Sequence, residues 1–240
     1  MIKLLLMLLS AGKLGKVLLT SGTMIISVIA YSWVFGWPYA IGFVALIFVH
    51  EMGHYVAARQ RTLDVGAPTF IPFVGAWIQL KDMPHDAETE AYVGVAGPLA
   101  GTLGALVCFY LARNYDSQLL LALAYSGFFL NLFNLIPLSP FDGGRITAVI
   151  SPKLWLIGVP ILAGLFFYRP SPLLIVVAFL AAPQAFKAWK ALRGQLPPEE
   201  HAYYLASSET RLSYGALYLG LVGFLALMCH DLHEELPRSF

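Results

Sequence analysis

Ile41-Gly-Phe-Val-Ala-Leu-Ile-Phe-Val-His50-Glu51-Met-Gly-His54-Tyr-Val-Ala-Ala-Arg59 decides how this chain is read. The run is apolar enough for a membrane-crossing helix, yet it carries three ionisable groups within five positions. On a helix, His50 and His54 stack on one face and can bind one metal ion together. Glu51 lies about 100° around the axis from His50, beside that ion, where a base taking a proton from water must stand. A His-Glu-x-x-His pattern is expected by chance only about 0.005 times in a chain of this composition. An ionisable group at mid-helix costs about 2.5–3.5 kcal/mol on insertion scales. Metal binding offsets that cost. A structural or pH-tuned histidine pair is the plainer alternative, and it leaves the clustering unexplained.

The rest of the chain agrees with a membrane setting. Of 240 residues, 58% are hydrophobic and 12% charged, about half the charge of a soluble domain; mean hydropathy is +0.71. Too little polar surface exists to coat a soluble globule, which excludes a soluble globular enzyme and a disordered tail. A net charge of +1 provides no basic stripe for nucleic acid. Cys108 and Cys229 sit in apolar stretches, so neither a disulfide framework nor a cysteine zinc site is expected.

Apolar runs predict an all-α polytopic protein with six to seven spans, near 18–35, 39–58, 92–112, 118–137, 153–168, 172–192 and 213–230. Gly36-Trp37-Pro38 breaks the chain between the first two. Residues 1–17 are expected to form an interfacial segment, residues 18–230 one membrane domain with its core over 39–150, and residues 231–240 a polar tail. With the N-terminus inside, all of the 15 Lys and Arg except Arg113, Arg169 and Arg238 fall on the inner side, as the positive-inside rule requires. The expected location is therefore a multi-pass position with a cytoplasmic N-terminus, and the compact chain leads to the expectation of a prokaryotic cell membrane.

Two histidines do not complete a zinc site; a third protein ligand is needed. The candidate lies in Asn131-Leu-Phe-Asn134-Leu-Ile-Pro137-Leu-Ser-Pro140-Phe-Asp142-Gly143-Gly144-Arg145. The prolines end a helix and the glycines permit a sharp turn. Broken backbone at membrane depth must be buried in protein or line a wet cavity, and Asp142 sits at that break. Capping the helix that follows is its alternative role. Asn131 and Asn134 could be interhelical hydrogen-bonding residues.

Three motifs, His50-Glu-Met-Gly-His54, Ala96-Gly-Pro-Leu-Ala-Gly101 and Asn134-Leu-Ile-Pro137 through Asp142-Gly-Gly-Arg145, together resemble the site-2 protease family of intramembrane zinc metalloproteases, in order and rough spacing, over residues 40–150. The resemblance implies one catalytic Zn²⁺ on His50, His54 and Asp142, Glu51 as the base, and Asn134 handling substrate or the transition state. The Asn-Pro-Asp-Gly core of some members is spread here over Asn134, Pro137 and Asp142-Gly143. No PDZ insert or nucleotide-sensing domain is expected. The implied reaction is hydrolysis of peptide bonds in or near transmembrane segments of membrane-protein substrates, with the bilayer as the other partner. A catalytically silent membrane binding protein of the same fold is the alternative, and Glu51 speaks against it. A metal or proton transporter would need further intramembrane ionisable sites, which the last three spans lack.

Gly94, Gly97, Gly101 and Gly104 form one bare helix face, expected to pack on the metal-bearing helix or the fourth span, with dimerisation as the alternative; a homo-oligomer stays open. Ala67 to Leu80 is rich in aromatic and β-branched residues, and a re-entrant β-hairpin near the metal is expected there. Gly75, Ala76, Trp77 and Ile78 would then hold an unwound substrate as an added strand; an interfacial loop is the other reading. His85, His201, His230 and His233 are expected to be solvated. Arg211, Tyr214 and Tyr218 are expected to anchor the last span at the interface.

Overall fold

Without water, backbone N–H and C=O groups must pair within their own segment, so an apolar chain stays helical until glycine or proline stops it. The computed structural model describes residues 2–66, 68–73, 75–77 and 84–236. The first helix, α1 (Ile2–Phe35), ends at Gly36, whose φ of +81° suits a residue without a Cβ. Pro38 lies in the first turn of α2 (Trp37–Gln60), where its missing N–H costs nothing. Two short strands follow, β1 (Thr69–Ile71) and β2 (Gly75–Trp77), paired antiparallel with Phe70 opposite Ala76. The Asp86 carboxylate caps α3 (Ala87–Tyr115) by accepting from the Thr89 N–H at 2.7 Å. Ser117 caps α4 (Gln118–Asn134), and a seven-residue break leads to α5 (Asp142–Ile150). A 3-10 turn (Pro152–Leu154), α6 (Trp155–Tyr168), α7 (Pro172–Leu192), α8 (Pro198–Tyr203) and α9 (Ser208–Glu235) complete the order.

Five helices, α1, α2, α3, α7 and α9, are long and apolar enough to cross a membrane, whereas α4 and α6, with 17 and 14 residues, are shorter. The chain is thus a multi-pass, mainly helical membrane protein. The burial of those helices sorts them. The apolar window of α2 is 44% buried and that of α3 is 39% buried, against 17% for each of the other three. The pair that carries the first two motifs is therefore the more enclosed, and α1 and α7 turn Trp33 and Phe179 outward.

Several boundaries differ from the sequence expectation. Residues 2–17 continue α1 without a break. The fourth helix stops at Asn134 rather than 137, because the ring of Pro137 would strike the carbonyl of Phe133 and Pro137 disfavours a helical residue before it. Helix α9 begins at Ser208, where the Ser207 hydroxyl accepts from the Thr210 N–H, and its end takes in His233 and Glu235; residues 237–240 lie outside the described set. The short α5 and α8 stand where no span was expected.

Four apolar clusters hold the helices. Phe128, Leu135, Ile146 and Leu225 join α4, α5 and α9. Trp155, Leu162, Val177 and Ala181 join α6 to α7. Ala57, Ala58 and Val93 join α2 to α3. Tyr31, Val44, Ile47 and Phe70 join α1, α2 and β1. The Thr23 hydroxyl accepts from the Phe70 N–H, and Thr20 donates to the Pro68 carbonyl, so the hairpin is fastened to α1.

Candidate metal centre

The bare face of α3 makes the site possible. Gly94 faces α5, where a Cβ would meet the Arg145 Cβ at 2.9 Å. A Cβ on Gly97 would overlap the His54 imidazole of α2, and one on Gly101 would overlap the Asn131 amide of α4. Gly104 faces Leu46 and Val49 of α2. The glycine seam is thus filled from within the chain by three helices, the two expected and α5, and Gly97 and Gly101 serve this packing rather than a dimer contact.

Into this notch three side chains converge. The His50 Nε2 lies 3.1 Å from Asp142 Oδ2, the His54 Nε2 lies 3.2 Å from Asp142 Oδ1, and the two Nε2 atoms are 3.2 Å apart. All three residues are buried. Asp142 is the first residue of α5, after the N-cap residue Phe141, and its carboxylate faces the histidines.

The other ring nitrogens settle the chemistry of the cluster. His50 Nδ1 is 2.7 Å from Asn131 Oδ1, and His54 Nδ1 is 2.7 Å from the Val93 carbonyl. Both partners are acceptors, so each Nδ1 carries a proton, and a ring that is neutral turns its Nε2 lone pair inward. Two lone pairs and a carboxylate therefore point at one another. Three buried acceptors so placed repel unless a positive charge, a proton or a metal ion, lies among them. The contacts of 3.1–3.2 Å approach the edge of about 3.3 Å that a tetrahedral site with zinc–ligand bonds near 2.0–2.1 Å requires. Nitrogen–nitrogen–oxygen donor set, spacing and outer partners all fit zinc. Among the described residues this is the group of three that could hold a metal.

Glu51 is 8% exposed and is not one of the three donors. It shares its surroundings with both imidazoles, Asp142 and Arg145. Asn134 ends α4, partly buried, whereas the fully buried Asn131 one turn earlier touches His50. Gly75, Ala76 and Trp77 form β2, and Ile78 lies outside the described residues. His85, His201, His230 and His233 are exposed.

The break that carries Asp142 is held from three sides. Tyr218 of α9 donates to the Leu135 carbonyl at 2.6 Å, the Ser139 N–H donates to Gln184 of α7, and Trp155 Nε1 donates to the Gly144 carbonyl at 2.8 Å. Arg211 donates to the carbonyls of Ile150, Tyr204 and Ala206. Tyr218 therefore braces the break from inside, and Arg211 ties the end of α5 to the segment between α8 and α9, contacts that the expected anchoring role did not foresee. Sequence alone offered no sign of this, because a tyrosine or arginine near a span end reads the same in either role.

Residues 38–117 match the model of Peptidase family M50. Over this stretch the chain is similar to that family. The match takes in His50, Glu51 and His54 and ends before Asp142, so the matched segment holds α2, the strands and α3. The zinc metalloprotease MJ0392 of Methanocaldococcus jannaschii is 29% identical over 123 residues, 48% of this chain and 35% of that protein. Rip3 of Mycobacterium tuberculosis is 31% identical over 131 residues, 51% of this chain and 32% of that one. The chain spans about a third of the length of these curated relatives. A solved site-2 protease from Methanocaldococcus jannaschii overlaps 77% of this chain and 88% of its own at a TM-score of 0.46 and 22% identity.

Proposed function

We propose that the chain is a zinc-dependent intramembrane endopeptidase that hydrolyses peptide bonds in or near transmembrane segments of membrane proteins. The convergence of His50, His54 and Asp142 through three acceptors, with Glu51 beside them, carries this reading. The zinc metalloprotease name of the relative MJ0392 supports it.

His50 Nε2, His54 Nε2 and the Asp142 carboxylate would hold the ion. Bound zinc supplies a Lewis acid that makes water a nucleophile near neutral pH and polarises a carbonyl. Glu51 takes the proton from the attacking water and passes it to the leaving nitrogen. The Asn131 and Val93 oxygens keep both imidazoles facing inward. Asn134 steadies substrate or the developing oxyanion. Peptide bonds in a helix are shielded, so the substrate must unwind locally. Gly75, Ala76 and Trp77 of β2 supply backbone partners to the unwound stretch. Phe70, opposite Ala76, packs against Ile47, one turn before His50.

His50 lies nine residues before Arg59, about 13 Å along the helix, so water enters from the side where Arg59 ends the span. With the N-terminus cytoplasmic in a prokaryotic cell membrane, that side is the cytoplasm, and cleavage releases the cytoplasmic part of the substrate.

The test is reconstitution of purified protein in liposomes with single-span substrates, products being mapped by mass spectrometry. Zinc-loaded wild type should cut within or beside the span and Glu51→Gln should not. Equal cutting by both, or none by wild type against a broad substrate panel, contradicts the reading.

A further inference from the structure

We propose that Asn131 is a positioning residue that selects which nitrogen of His50 faces the metal. The inference rests on the zinc-site reading above and goes beyond it, since the motif match assigns a role to Asn134 and none to Asn131.

Asn131 is 1% exposed and sits on α4 one turn before its end. Its Nδ2 donates to the Gly127 carbonyl at 2.6 Å, which fixes the amide so that Oδ1, and not Nδ2, faces His50 Nδ1 at 2.7 Å. An amide turned the other way would place its donor against the imidazole and a carbonyl oxygen against a carbonyl oxygen. The amide cannot slide off either, because it lies against Gly101 of α3, where any Cβ would overlap it. Three elements thus hold one oxygen in place: the α4 backbone, the bare face of α3 and His50 of α2.

The consequence is chemical. A free neutral imidazole exchanges its proton between Nδ1 and Nε2. With Asn131 Oδ1 as acceptor, the proton stays on Nδ1 and the Nε2 lone pair stays toward His54 and Asp142. Without it, the proton can move to Nε2, where it would donate to Asp142 and block the metal position. The buried His50 ring would pair with the carboxylate instead of serving as ligand. Outer partners of metal-bound histidines are worth about 10–100-fold in metal affinity. His54 obtains the same control from the Val93 backbone carbonyl, so the two ligands are oriented by different means and only one of them is open to mutation.

The experiment measures zinc affinity by chelator competition, on the full chain in detergent micelles, alongside the thermal midpoint of the zinc-free protein. Asn131→Leu removes the acceptor, and the shorter Asn131→Ser draws its oxygen back from His50 Nδ1. Asn131→Asp keeps an acceptor for His50 Nδ1, loses the donor to Gly127 and adds a carboxylate charge. The expected result is zinc affinity about 10–100-fold weaker for the Leu and Ser variants, and near wild type for the Asp variant even where its zinc-free midpoint falls. Cobalt-loaded wild type and Asp variants should share one visible spectrum, and the Leu and Ser variants should not. Wild-type affinity in the Leu or Ser variant overturns the proposal, as does an Asp variant as weak as Leu, which would reduce Asn131 to packing. A wild type that binds no zinc overturns the zinc-site reading itself, which separates the two failures.

Discussion

Replacing Gly97 with alanine adds one methyl group at the point where α3 meets His54. The new Cβ would overlap the His54 ring, standing 2.7 Å from Cδ2 and closer still to Nε2 and Cε1. Ordinary contact is 3.4–4 Å, so the ring must retreat by about 1 Å or the helices must part. Overpacking of this kind costs about 1–3 kcal/mol in stability. Its effect on the site is larger, because a misplacement of about 1 Å costs about 100-fold in catalysis, and the ring must leave both the Val93 carbonyl and the inward cluster. Gly104→Ala is the matched control on the same face of the same helix. There the Cβ meets the end of Leu46 at 3.2 Å and Val49 at 3.4 Å, side chains able to yield by a few tenths of an ångström. The higher helix propensity of alanine, about 1 kcal/mol, offsets that strain. Zinc affinity by chelator competition and substrate cleavage in liposomes should both fall at least tenfold in Gly97→Ala and stay within about twofold in Gly104→Ala. Equal behaviour of the two variants would refute the close approach of His54 to α3 as the reason for glycine at 97.

Other outcomes follow from the same contacts. Glu51→Gln should keep its zinc and lose at least about 100-fold in cleavage, measured as product per hour under saturating zinc. Tyr218→Phe removes the hydroxyl that holds the Leu135 carbonyl and should lower the unfolding free energy by about 1 kcal/mol, with zinc affinity reduced in step because the break carrying Asp142 loosens. Arg211→Leu leaves three carbonyls without their donor and should cost about 2–3 kcal/mol in chemical denaturation of the zinc-free protein. Gly223→Ala meets nothing within 4 Å and should stabilise α9 by about 0.5–1 kcal/mol.

Much of the site was legible because its chemistry is improbable in an apolar chain. His50, Glu51 and His54 stand out inside a span, and Asp142 stands out at a backbone break, so both could be found from residue type and position. The small-residue face of α3 was legible as a contact, and its third neighbour, α5, was not, because a nine-residue helix leaves no periodic signal long enough to read. Asn131 and Asn134 lie three apart on α4. Helical spacing puts both near one face, so only the depth of the Gly101 notch separates the one that reaches His50. The end of α4 was read too late because the apolar pattern runs on to Ile136 while backbone geometry at Pro137 stops the helix earlier. Arg211 and Tyr218 near the start of α9 could not be assigned from sequence, since interfacial anchoring and inward bracing use the same residue types.

The most direct measurement is zinc per chain, by elemental analysis, in purified wild type, Glu51→Gln and Asp142→Ala. Three inward-facing acceptors and a separate carboxylate predict about one zinc in wild type and in Glu51→Gln, and loss of the metal in Asp142→Ala. Zinc retained without Asp142, or a wild type that cannot be loaded at all, would contradict the account.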